Sequence, residues 1–109
     1  MSPATLFVEG EPTILVKVHR RGADTLVAAC DERLLGRTLR EGELRLHVSS
    51  FYEGDRMTPE EFVAILRGAT IGNFVGRETV EAAQRAGFVG EDGVVWIEGE
   101  PHAQMFVMP

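Results

Sequence analysis

Apolar and polar residues alternate over 13–20 (TILVKVHR), so Ile14, Val16 and Val18 share one face of a predicted strand and Lys17 and His19 the other. Residues 25–30 (TLVAAC) are apolar on both faces, as in a central strand covered on two sides. Arg21-Gly22-Ala23-Asp24 between them reads as a hairpin turn. Asp31 is then placed to cap a short turn over Glu32, Arg33, Leu34 and Leu35, closed by Gly36. Residues 43–48 (ELRLHV) alternate again, with Leu44, Leu46 and Val48 inward. Thr58-Pro59-Glu60-Glu61 is the strongest local signal. Thr58 can accept from the first amides, Pro59 suits the first helical position, and Glu61 can reach back to complete a capping box. Phe62, Ile65, Leu66 and Ala69 follow at helical spacing. A second helix is expected from about Arg77 to Gly87, burying Val80, Ala83 and Ala86. Residues 94–98 (VVWIE) and 102–108 (HAQMFVM) read as two closing strands joined through Gly99-Glu100-Pro101. Between the helices, Gly68, Gly72 and Gly76 punctuate the segment containing ATIGNFVG, which suggests close backbone packing or a break between helices.

The predicted order is β-β-β-α-α-β-β. Hairpins at both ends imply a largely antiparallel sheet, and helices grouped in the middle imply one covering layer. The expected fold is therefore an α+β two-layer sandwich. Residues 13–109 form its single domain. Residues 1–12 stand apart as an N-terminal extension with no clear period, where Leu6, Phe7 and Val8 could add an edge strand.

Composition narrows the function classes. The chain has 109 residues, is 44% hydrophobic and 26% charged, and carries a formal net charge of −6. Such a balance supports a core without disulfides and argues against a sequence-blind DNA binder, which needs many phosphate-facing cations. Cys30 is the single cysteine, which fits a reducing compartment. No apolar run approaches the roughly 18 residues of a membrane span. The start of the chain shows no basic leader, so a cytoplasmic protein is expected. Lys17 is the only lysine and Asn73 the only asparagine, and glutamine occurs only at 84 and 104. Sparse amides with abundant Glu and Arg point to a heat-adapted protein.

Four groups of side chains carry candidate chemistry. Cys30-Asp31, with His19, His47 or His102 as base, has the components of an activated nucleophile. A thiol ending a buried strand is inert, however, and the structural reading is favoured. The three histidines and one cysteine lack the paired spacing of zinc sites, so no metal and no cofactor is expected. Lys17, His19, Arg45 and His47 point outward. They form a basic stripe if the first and third strands are near neighbours, extended by Arg20 and Arg21 at the hairpin. Such a stripe could meet RNA phosphates, although it lacks the interleaved aromatics of RNA-binding sheets. The plainer reading is a solvated face balanced by glutamates. Finally, Asn73 lies in an apolar stretch and needs partners if buried. His102 and Gln104 share one face of the last strand, and could meet it.

The phrases ILVKVHRRG, LVAACDERLLGRTLREGELRL, ATIGNFVG and GEPHAQ, taken together, resemble an archaeal family known as domain of unknown function 424. The likeness runs over residues 13–108. Cys30, Asp31, Gly36, Asn73, Gly76, Pro101, His102 and Gln104 stand at family-like positions. The resemblance implies a short, single-domain archaeal protein. It also implies an association with translation, and it assigns no residue a role.

Two readings follow. One is a non-enzymatic binding module whose partner is RNA or a translation-related protein, through Lys17, His19, Arg20, Arg21, Arg45 and His47. The alternative is a small-molecule-binding protein or small enzyme with a polar pocket around Asn73, His102 and Gln104. Convergence of those three residues in a concavity favours the second, and alignment of the cations favours the first. No catalytic set is complete in the sequence.

Overall fold

A computed structural model describes residues 11–107. The strand proposed around Leu6, Phe7 and Val8 lies outside the described residues. The first expected hairpin is present as β1 (Ile14–Arg21) and β2 (Asp24–Asp31), turning through Gly22-Ala23. The alternating segment 43–48 becomes β4 (Leu44–His47), which folds back on β3 (Thr38–Glu41). A short β5 (Asp55–Met57) precedes α1 (Pro59–Leu66). Then come β6 (Ile71–Val75), α2 (Arg77–Arg85), β7 (Val94–Ile97) and β8 (Glu100–Phe106).

The expected elements occur in the expected order, and the α+β class holds. The structure adds β3, β5 and β6. The main sheet has six strands in the order β5-β1-β2-β6-β8-β7. All its pairs are antiparallel except β2 with β6. The glycine-punctuated ATIGNFVG is therefore a central strand rather than a break. Gly72 is required there because the Phe74 ring folds back over it, and a Cβ at 72 would overlap that ring. Phe74 in turn meets Phe62 of α1 edge-to-face, with centroids 5.5 Å apart.

Helix α1 starts as its sequence predicts. Thr58 Oγ1 accepts from the Glu61 amide at 3.1 Å, and Glu61 Oε1 accepts from the Thr58 amide at 2.9 Å. Both helices cover one sheet face, where Ile14, Val16, Val27, Ala29, Phe62, Leu66, Phe74, Val80 and Met105 form the larger core. The opposite face carries a second core of Leu15, Ala28, Cys30, Leu34, Leu39, Val48, Tyr52, Val75 and Ile97. The β3–β4 hairpin and a helical turn at Ser50–Tyr52 supply its cover. Two reciprocal bonds tie that hairpin to the β7–β8 turn. The Arg40 amide donates to Glu98 Oε1 at 2.9 Å, and the Glu98 amide donates to Glu41 Oε1 at 2.7 Å.

Asp31 departs from its expected role. It precedes the turn at Glu32–Leu34, but its side chain makes no cap bond there. It caps α2 instead. Oδ1 accepts from the Thr79 amide at 2.9 Å and from Thr79 Oγ1 at 2.8 Å, and Oδ2 accepts from the Glu78 amide at 3.2 Å. The residue at the N-cap position of α2 is Gly76, with φ of +108°, which has no side chain to offer. A Cβ at Gly76 would collide with the Asp31 carboxylate. Glycine at 76 and aspartate at 31 thus form one device, a helix cap delivered from the neighbouring strand.

Candidate functional site

Strand pairing arranges the sheet face opposite the helices in rows. Partners across a ladder project to the same side, so the register can be read straight across β1, β2, β6 and β8. One row is His19, Leu26, Ile71 and Phe106. The next is Lys17, Ala28, Asn73 and Gln104. The third is Leu15, Cys30, Val75 and His102, extended by Val95 of β7. The β3–β4 hairpin and Leu34 cover the end of the face nearest the third row, where Leu15, Cys30 and Val75 are buried. The first row is open, and Phe106 is 65% exposed.

The pairing of β6 with β8 brings Asn73, His102 and Gln104 together. His102 Nε2 lies 3.2 Å from Asn73 Oδ1, and Gln104 stands directly opposite Asn73. Sequence reasoning missed the third partner, Tyr52, whose hydroxyl donates to Asn73 Oδ1 at 2.6 Å. With both groups donating to one carbonyl oxygen, His102 carries its proton on Nε2. Burial holds His102 below the ordinary imidazole value, which keeps this ring neutral. Burial, and then the nearby Cys30, push the Tyr52 phenol up to about 12. The cluster is therefore a set of neutral hydrogen bonds that locks the Asn73 amide. No buried side-chain polar atom lacks a partner among the described residues, so Asn73 Nδ2, which bonds none of them, is not fully buried.

Cys30 is buried, and burial together with the Asp31 and Glu32 carboxylates pushes its thiol up to about 12. That is the opposite of an activated nucleophile. Among the described residues no group of His, Cys, Asp and Glu could hold a metal ion, and no helix is long and apolar enough to cross a membrane.

The basic stripe does not assemble as expected, because β1 and β4 belong to different sheets. Lys17, His19 and Arg21 stay together on the open sheet face, while strand alternation turns Arg20 to the helical side. Arg45 sits opposite Arg40, and His47 opposite Thr38, on the outer face of the β3–β4 hairpin. His47 Nδ1 is 2.9 Å from Thr38 Oγ1.

The same topology supplies aromatics that the sequence did not bring together. The turn at Ser50–Tyr52, begun where Ser49 Oγ accepts from the Phe51 amide, stacks Phe51 on His19. Their centroids are 4.6 Å apart and their planes 16° from parallel. His19 Nε2 also lies 3.1 Å from the Phe51 carbonyl oxygen. Phe51 is 37% exposed. A concavity of about 310 Å³ opens beside it, with Leu26 and Ile71 as floor, Phe51 and His19 as wall, and Arg21 and Asp24 at the rim. Phe106 continues the floor as the next residue of the row. Phe106 was legible in principle, since it lies two and four residues beyond Gln104 and His102 on one strand. Phe51 follows no period and was not.

No curated protein matches this sequence. A crystal structure of an uncharacterized conserved protein from Methanopyrus kandleri is similar in fold and sequence. It is 30% identical, has a TM-score of 0.73, and matches over 88% of this chain and 92% of that one. The family model described as a protein of unknown function (DUF424) matches residues 19–108, and the chain belongs to that family.

Proposed function

We propose that this protein is a non-enzymatic module that binds single-stranded RNA on the open face of its sheet. The observation that carries the reading is the row His19-Leu26-Ile71-Phe106, half-buried except for the exposed Phe106 and walled by Phe51, in register with the polar row Lys17-Asn73-Gln104. Proteins that read unpaired RNA stack bases on exposed aromatic side chains and meet the base edge with amides and the backbone with cations. Here the floor of Leu26 and Ile71 lies between Phe51 and Phe106. It leaves room for a planar base, with Asn73 Nδ2 and Gln104 on one side. Lys17 and Arg21 flank the face for phosphates. The setting we propose, translation, rests on the family resemblance alone.

The alternative, a small-molecule pocket built on Asn73, His102 and Gln104, has less support. Asn73 Oδ1 is saturated by Tyr52 and His102, and the concavity is lined by the neighbouring row instead.

The test is fluorescence anisotropy of a labelled single-stranded oligouridylate at low salt. Binding is expected to weaken as salt rises. Phe106→Ala and Phe51→Ala are each expected to weaken it by roughly 5- to 150-fold, the range for loss of one stacked base. Lys17→Glu should weaken it while leaving the melting temperature unchanged. No binding at about 50 mM salt, where electrostatic attraction is little screened, overturns the proposal. Equal affinity for a free mononucleotide and the oligomer supports the small-molecule alternative instead.

A further inference from the structure

A second surface lies at the far edge of the same sheet, on its helical side. In β8, the Pro101 carbonyl accepts from the Gly76 amide, so residue 101 points its backbone toward β6. Its alternate neighbours do the same, and the Val107 amide accordingly reaches the Thr70 carbonyl. His102 and Glu100 therefore turn their backbone toward β7, to Val95 and Ile97. By the same alternation, Val94 and Trp96 direct their N–H and C=O groups outward, off the edge. No backbone group of the described residues pairs with them. An edge strand in this state is a template for another strand.

The side chains along this edge are apolar, with Val95 and Trp96 both exposed, and Trp96 54% so. Trp96 faces a groove of about 240 Å³ between β7 and α2, whose apolar lining includes Val80, Val94 and Pro101. The polar part of the lining includes Glu81 and Glu91. Asp92 precedes the strand and Glu98 follows it. Among the described residues Glu81 pairs only with Arg85, at 3.8 Å, on the solvent side of α2.

This charge pattern selects the occupant. A second copy adding β7 to β7 in antiparallel register would set Glu91 and Asp92 of one chain against Glu98 of the other. Like charges opposed across a ladder are destabilising. An extended segment bearing cations has no such penalty. An arginine or lysine on it can lie over the Trp96 ring and reach Glu81 or Glu91. We propose that the β7 edge captures an extended basic peptide segment as a seventh strand of the sheet, with a cationic side chain seated on Trp96. Main-chain bonds to Val94 and Trp96 supply the pairing, and the acidic flanks supply the selection.

Trp96 is the single tryptophan of the chain, so its emission reports on this groove alone. The probe is the synthetic peptide acetyl-VRVRVRV-amide, titrated against the full chain. A saturable change in Trp96 emission is expected. The same peptide with glutamate in place of arginine should give none. A version N-methylated at alternate residues keeps its charge but cannot complete the ladder, and it should bind at least tenfold more weakly. Charge reversal by Glu81→Lys with Glu91→Lys, both at exposed positions, should weaken binding at least tenfold with an unchanged melting temperature. An unchanged emission at millimolar peptide overturns the proposal. So does equal binding of the N-methylated or the glutamate peptide, and so does self-association of the chain that Trp96→Lys abolishes. The oligouridylate measurement with Phe106→Ala concerns the other sheet face, and its outcome leaves this one untouched.

Discussion

At the scale of single residues, Asp31 couples β2 to α2. Its carboxylate, 1% exposed, takes two helix amides and the Thr79 hydroxyl. Arg33 reaches the same carboxylate at 3.3 Å while making its main pair with Glu100, at 2.7 Å. Asp31→Ala leaves buried donors unpaired, and a loss of about 2–4 kcal/mol in denaturant melts is expected. Asp31→Asn keeps an oxygen for Thr79 and should lose less. The sequence placed Asp31 at a cap and chose the wrong helical segment. Local spacing ranks the nearest turn first, and only the β2–β6 pairing reveals that Gly76 lies beside it.

His102 ties the polar cluster to pH. Burial lowers its folded value below the ordinary imidazole value of 6.5. Between that lowered value and 6.5 the unfolded chain binds a proton that the folded chain refuses. The stability this histidine contributes is thus fully present above 6.5 and falls as pH drops below it. Glu100, held low chiefly by its bond from Arg33, acts in the same direction but in a separate window below its ordinary 4.5. Chemical denaturation at several pH values between about 7 and 5 should show this loss. His102→Gln should flatten it, and a variant with the wild-type slope would remove His102 as the cause.

At the scale of elements, the legible parts are those whose rules are local. The capping box at Thr58 needs only four consecutive residues, and it stands in the structure as its sequence predicts. Thr58→Ala should cost about 1 kcal/mol, read from thermal or denaturant melts. A change near zero would mean that the box contributes nothing to holding α1. β6 was illegible for the opposite reason. Gly72 within it answers to the Phe74 ring and Gly76 just after it to the Asp31 carboxylate, a partner distant in sequence, and neither shows in a periodicity. The candidate site divides along the same line. The meeting of Asn73 with His102 and Gln104 could be anticipated from polar residues in apolar strands. Tyr52 and Phe51 could not, because a short turn with no repeating pattern carries them across the sheet face.

At the scale of the whole molecule, the two sheet faces differ in kind. One is covered by the two helices, with a groove left at its β7 edge. The other is closed at one end by the β3–β4 hairpin and open at the other, where the aromatic and amide rows lie. A net charge of −6 on the chain coexists with Lys17, His19 and Arg21 on the open face, so net charge is a poor guide to what this surface meets.

The strand order also sets the route by which the chain can reach its fold. β1 with β2, and β7 with β8, are local hairpins that can form early and independently. β6 has no sequence neighbour in the sheet. It must dock between β2, with Ala28 opposite Asn73, and β8, with Gln104 opposite Asn73. Closing both gaps costs loop entropy before either pairing is rewarded. Docking of β6 is thus the expected barrier to folding, and before that step the main sheet consists of two hairpins with exposed inner edges. In stopped-flow experiments, Phe74→Leu should slow folding, and a destabilising change in the β7–β8 turn such as Gly99→Ala should leave the unfolding rate nearly unchanged, because that hairpin is already formed at the barrier. If the Phe74 variant refolds at the wild-type rate and only unfolds faster, the sheet is joined by another strand first.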